Sequence, residues 1–193
     1  MTETDGRLAR GEATRAVMLE AASQIIATEG IQALTHRAVA TQIRVSHALV
    51  VYHFASVTEL RQATLLEAGR RIVDRLAELL GANADPAQVP ALAAKLAVEM
   101  VTSLRNQTVT LFALMAQATR DEGLRPAVEQ VTVRIADLIE PLSGYRKLAN
   151  NAASALLGLV LAAMAEGHDK QLETFRDQVI DLVEHFDPHR NAD

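Results

Sequence analysis

The 193-residue chain contains no cysteine, which excludes disulfides, cysteine-ligated zinc and thiol catalysis. It has no tryptophan, two tyrosines and four phenylalanines, so aromatics make up only 3% of a chain that is 49% hydrophobic. Ala and Leu, strong helix formers, are plentiful and the strand-favouring aromatics scarce, which points to helices. The longest strongly apolar stretch, Ala152 to Ala165, is about 14 residues and is interrupted by Ser154 and Gly158; a membrane-spanning helix needs about 20. The N-terminal run MTETDGRLARGE lacks the apolar centre of a secretory signal. The expectation is a soluble, cytoplasmic protein with no membrane partner. No glycine-rich phosphate loop and no Gly-x-Ser-x-Gly elbow is present, so no catalytic residue and no cofactor is expected.

The formal net charge is −5. It is uneven: residues 1–71 hold eight arginines against seven acids, net +1, leaving −6 for the rest of the chain. A net-acidic protein still binds nucleic acid if its few arginines share one face.

Helix signals follow one another with short breaks. Thr14 to Glu29 carries Val17, Ala21 and Ile25 on one stripe with Gly30 at its end. Two short segments follow, Thr35 to Ile43 and Ser46 to Phe54. Ser56 and Glu59 form a capping box, in which each side chain takes the other's free amide. The box opens a helix over 57–80, closed by Gly81. Asp85-Pro86 starts the next helix, and further helices are expected near 86–105, 107–120, 124–141, 145–166 and 169–186. The fold class is all-α, with about nine helices. An N-terminal domain over 1–56 and a C-terminal domain over 57–193 are joined by the helix at 57–80.

The two short segments read as a helix-turn-helix. Thr35 caps the first helix, which buries Ala38, Val39 and Ile43, with small Ala40 at the closest approach. Arg44 and Val45 turn the chain, Val45 fills the corner and Ser46 caps the second helix. That helix buries Leu49 or Val50, with Phe54, and turns His47, Ala48, Val51 and Tyr52 outward, where a recognition helix meets base edges. Helix-start amides with the Thr35 and Ser46 hydroxyls suit phosphate oxygens. Arg37 and Arg44 can neutralise phosphates, Tyr52 and His53 offer neutral donors, and His47 can read a purine edge. Arg7, Arg10 and Arg15 are candidates for an arm into the adjacent groove.

The run Gly30-x-x-x-Leu34-Thr35-His36-Arg37-x-Val39-Ala40, then Val45-Ser46, Tyr52-His53-Phe54-Ala55-Ser56 and Glu59-Leu60 resembles the N-terminal domain of the TetR (tetracycline-repressor) family. The resemblance covers about 50 residues; the remainder is similar only in the number, length and order of its helices. It implies a non-enzymatic transcriptional regulator. Such a protein is a homodimer whose two heads read a palindromic operator on double-stranded DNA, usually as a repressor, and a small molecule in the C-terminal domain releases it. The DNA contacts it implies fall on Thr35, His36, Arg37, Ser46, His47, Ala48, Leu49, Tyr52 and His53. Three positions depart from the pattern. Arg44 stands where the turn commonly has Gly; a left-handed residue other than Gly costs about 1–2 kcal/mol, so another turn conformation is expected. Val51 replaces an aromatic and Val57 a lysine, which leaves fewer ionic anchors.

In the C-terminal part, Leu172, Phe175, Val179, Leu182 and Phe186 are spaced 3, 4, 3, 4 as in a bundle seam. With Leu156 and Val160 of the preceding helix, Phe175, Val179, Leu182 and Phe186 are the expected dimer interface. Met100, Leu104, Phe112, Met115 and Met164 are the candidates for a cavity holding a small apolar or amphipathic effector. The acid and acid–His clusters at Asp121-Glu122, Glu166/His168/Asp169 and Asp181/Glu184/His185 read as solvated helix faces, and no metal site is assigned. The alternative is an all-α carrier or adaptor that kept the fold and lost DNA binding, which Val51, Val57 and the net charge favour. An all-α enzyme is the third possibility, with no visible site.

Overall fold

The computed structural model describes residues 3–81, 85–143, 146–167 and 171–186. Among them the chain forms nine α-helices and no strand: α1 (Glu3–Glu29), α2 (His36–Gln42), α3 (His47–His53), α4 (Val57–Leu80), α5 (Val89–Val101), α6 (Arg105–Gln117), α7 (Arg125–Ser143), α8 (Arg146–Glu166) and α9 (Leu172–His185). Single 3-10 turns occupy Ile31–Ala33, Pro86–Gln88 and Glu122–Leu124.

Local chemistry explains most boundaries. Gly30 and Gly81 follow α1 and α4 at φ 86° and 59°, the left-handed stop that glycine adopts without a β-carbon clash. The Ser56 hydroxyl accepts from the Glu59 amide at 3.0 Å. The Glu59 carboxylate accepts from Ala55 at 2.8 Å, one residue before the amide expected of a capping box. Asp85 accepts from the Ala87 amide at 3.0 Å and so starts a 3-10 turn; α5 begins after it and ends at Val101, shorter than expected. α1 begins 11 residues before Thr14. α7 runs past Pro141 to Ser143; the proline stands in the last turn, where the lost i−4 hydrogen bond and the ring's crowding of the i−4 carbonyl disturb only the helix end.

The residues pack as two units, 1–68 with 109–128 and 69–108 with 129–193. The boundary expected at 56/57 falls within the first stretch of the first unit. In that unit Met18, Ile25 and Ile26 of α1 are buried with Leu34, Phe54, Leu60, Leu111 and Leu114. The Thr110 hydroxyl donates to the Ser23 carbonyl at 3.1 Å and accepts from the Ser23 hydroxyl at 2.8 Å, satisfying two buried polar side chains. In the second unit α9 packs on α5 and α8, with Phe175 and Val179 buried. Arg75 on α4 forks onto Glu99 on α5, with Nε and Nη2 donating to its two oxygens at 2.6 and 2.7 Å.

Candidate nucleic-acid interface and ligand cavity

The corner between α2 and α3 is built by its caps. The Thr35 hydroxyl accepts from the Ala38 amide at 3.1 Å and the Ser46 hydroxyl from the Leu49 amide at 3.2 Å. Between the helices the Val45 amide donates to Ala40 at 3.0 Å and the Arg44 amide to Thr41 at 3.3 Å. Arg44 adopts φ 58°. The glycine-like geometry is therefore kept with an arginine in it, against the expectation of another turn. Val39, Ala40, Val50 and Phe54 are buried, so that of Leu49 and Val50 it is Val50 that α3 buries; Ala38, Ile43 and Val45, expected to pack inward, are half-buried. Burial on a seven-residue helix is confined to the one turn that meets its partner.

The outward strip of α3 carries His47, Ala48, Val51 and Tyr52, all exposed, with Tyr52 at 83%. Arg37 and Arg44 are exposed as well, and His53 is half-buried with its ring edge-on to Tyr52, centroids 5.4 Å apart. His36 has a different task. Its Nε2 lies 2.9 Å from the Phe54 carbonyl oxygen, which can only accept, so Nε2 carries the proton and ties the start of α2 to the end of α3. Its ring meets His47 edge-on, centroids 6.1 Å apart. The guanidinium carbon of Arg15 sits 4.6 Å from the Phe54 ring centroid, a cation–π contact that bolts α1 to the same corner. Neither the His36 strut nor the Arg15 contact was legible in the sequence, because each joins residues 18 or more apart. The side chains of Arg7 and Arg10 lie outside the described residues.

The second unit holds a partly open apolar cavity of about 90 Å³. Its walls are Ile72, Leu76 and Leu80 of α4, Leu96 and Met100 of α5, Ile135 and Ile139 of α7, and Ala152 and Leu156 of α8, with Val183 of α9. Every lining side chain is aliphatic or methionine, and none offers a hydrogen bond. Of the expected ligand residues, Met100 lines this cavity; Leu104, Phe112, Met115 and Met164 do not, and Phe112 and Met115 belong to the first unit. Bulky side chains were expected there, whereas the cavity is defined by where the apolar faces of five helices converge.

A shallow groove on the second unit runs between α8 and α9, lined by Ala155, Gly158, Leu159 and Ala162 with Gln178, Asp181, Leu182 and His185. Of the expected interface residues, Leu182 lines it. Val160, Phe175 and Val179 are no more than 1% exposed, so they pack within their own unit and cannot meet a partner. Leu156 faces the cavity, and Phe186 is half-buried with its ring edge-on to His185. A 3, 4 spacing marks the buried face of a helix; it does not say which chain buries it. By length and composition alone α8 could cross a membrane, and most of its apolar stretch is not buried within the chain. Leu161 on its outer side is 49% exposed. Among the described residues no group of three His, Asp or Glu is placed to hold a metal ion. His168 and Asp169 lie outside them.

Residues 18–64 match the sequence profile of the bacterial regulatory proteins of the tetR family. No curated protein matches the chain. Among solved structures it is similar to a TetR-family member from Streptomyces coelicolor A3, with 24% identity and TM-score 0.74 over 87% of this chain and 96% of that one. It is similar to a transcriptional regulator from Saccharomonospora viridis in complex with choline, at 20% identity and TM-score 0.72 over 90% and 97% of the two chains. The multidrug binding protein EbrR complexed with ethidium is 24% identical, with TM-score 0.69 over 87% of this chain and 97% of that one.

Proposed function

We propose that this protein, whose residues 18–64 match the tetR-family profile, is a DNA-binding transcriptional regulator rather than an enzyme, and that it acts in the cytoplasm as a homodimeric repressor that an apolar small molecule releases from a palindromic operator. The observation that carries the reading is the α3 strip: four adjacent side chains exposed on a capped helix whose opposite face, at Val50, is fully buried. Arg37 and Arg44 around it supply phosphate contacts, which position a protein on the duplex while the strip reads base edges.

Dimerisation is supported by the α8–α9 groove. Its floor of Ala155, Gly158 and Ala162 lets a second helix pair approach closely, and a symmetric pairing would cover the exposed apolar side of α8. Two heads related by a twofold axis then require two half-sites in inverted order.

The effector reading rests on the cavity. A cation such as the ethidium or choline bound by similar proteins would lose its hydration there without gaining a partner. The lining suits an uncharged aliphatic molecule instead. Titration of the full chain against labelled duplexes from the region upstream of its own and neighbouring genes tests the central claim. Binding of one palindromic duplex is expected; if none binds even at low salt, the protein is a carrier or adaptor on this fold.

A further inference from the structure

The exposed strip of α3 has an internal order. At about 100° per residue, the side chains run around the helix as His47, Val51, Ala48 and Tyr52, so an imidazole and a phenol flank two groups that can neither donate nor accept. Val51 is 38% exposed while its neighbour Val50 is fully buried, so Val51 is packed along its base and leaves part of its apolar surface open on the strip. His47 is braced from behind by the edge of the His36 ring, which is itself tied to the Phe54 carbonyl. The strip is therefore a preset surface with an apolar centre.

We propose that Val51 and Ala48 read the C5 methyl groups of thymines in the major groove. The inference rests on the reading that α3 is the element entering that groove. Of the groups the four base pairs display there, the thymine methyl is the apolar one; the rest are N7, O6, O4 and amino groups that need hydrogen-bond partners. A purine edge or a cytosine amino group set against Val51 loses its water and gains nothing. A thymine methyl gains the burial of both partners. The branched Val51 side chain is stiff about its first torsion, so its methyls are presented without ordering cost. The residue that departs from the family pattern thus selects sequence by methyl contact and exclusion of polar edges, while His47 and Tyr52 supply the polar contacts on either side.

The test begins with selection of bound sequences from a randomised duplex library by the full-length protein. The enriched duplex is then resynthesised with deoxyuridine in place of thymidine, one position at a time, which removes only the methyl. At one or two positions per half-site the affinity should fall about fourfold, the value of one buried methyl-sized group. Val51→Ser should abolish the thymine–uracil discrimination at the position Val51 covers, measured at a temperature well below the variant's own melting point so that all of the protein is folded. Equal affinity for the thymine and uracil duplexes at every position would overturn the inference while leaving the regulator reading intact. So would undiminished discrimination by Val51→Ser. A library from which no sequence is enriched removes the operator reading itself, and this inference with it.

Discussion

A β-carbon added to Gly69 on α4 would lie 2.5 and 2.8 Å from the two methyls of Val131 on α7. Val131 is 4% exposed and β-branched, so it cannot swing aside. Gly69→Ala gains about 1 kcal/mol of helix propensity but overpacks a filled site, which costs roughly 1–3 kcal/mol. The clash wins. The expected outcome is a net loss of up to about 2 kcal/mol in denaturant unfolding, largely recovered in the double variant Gly69→Ala with Val131→Ala. A Gly69→Ala protein that is as stable as the parent would show that the two helices are not in contact here.

The fork from Arg75 to Glu99 makes stability depend on acid. Hydrogen bonding from Arg75 is the largest influence on Glu99 and holds its carboxyl below the usual carboxylate range, with burial opposing. A carboxyl depressed in the folded state stabilises fully above its unfolded value, and the contribution fades as pH falls through the lowered folded value. Thermal melts should therefore fall off more steeply below about pH 4.5 in the parent than in Glu99→Gln. Near neutrality Glu99→Gln should melt lower. Parallel acid branches for the two proteins would refute the coupling.

Arg44 occupies the left-handed region at φ 58°, which costs a non-glycine residue about 1–2 kcal/mol. Arg44→Gly relieves this but makes the unfolded chain freer, so a stability gain of up to about 1 kcal/mol is expected. If the exposed guanidinium meets a phosphate, the same variant lowers the salt slope of DNA binding by about 0.9 for each head. The turn thus trades stability for grip. A variant no more stable than the parent would mean the strain is relieved elsewhere.

Val51 and Val57 stand where the family pattern offers further backbone contacts. The logarithmic dependence of affinity on salt should accordingly be shallow, with a slope of magnitude below about 8. Titrations across a range of ionic strength measure it directly, and a steeper slope would reveal phosphate contacts beyond those assigned.

The cavity predicts which ligands stabilise the protein. Cyclohexane or a short alkane at concentrations well above its dissociation constant should raise the melting temperature by mass action. Ethidium should not. Ala152→Leu, which places extra bulk in the cavity wall, should remove the response. Stabilisation by the cation and not by the hydrocarbon would reverse the assignment of effector class.

Much of this molecule is written in short stretches of chain. Helix periodicity, the Thr35 and Ser46 caps, the Ser56–Glu59 start of α4 and the glycine stops all act within about four residues, so the sequence alone determined the all-α class, the helix order and the helix-turn-helix scaffold. It also determined that His47, Ala48, Val51 and Tyr52 face outward, because the apolar residues behind them leave no other face to bury. Tertiary structure decided which buried faces meet. Nothing local distinguishes a seam within one chain from a seam between two, and so Phe175 and Val179 were expected at an interface that their burial denies them. The cavity, the His36 strut and the Arg75–Glu99 fork belong to the same class. Each depends on helices distant in sequence arriving together, and that is settled by the packing of whole faces rather than by the chemistry of any one residue.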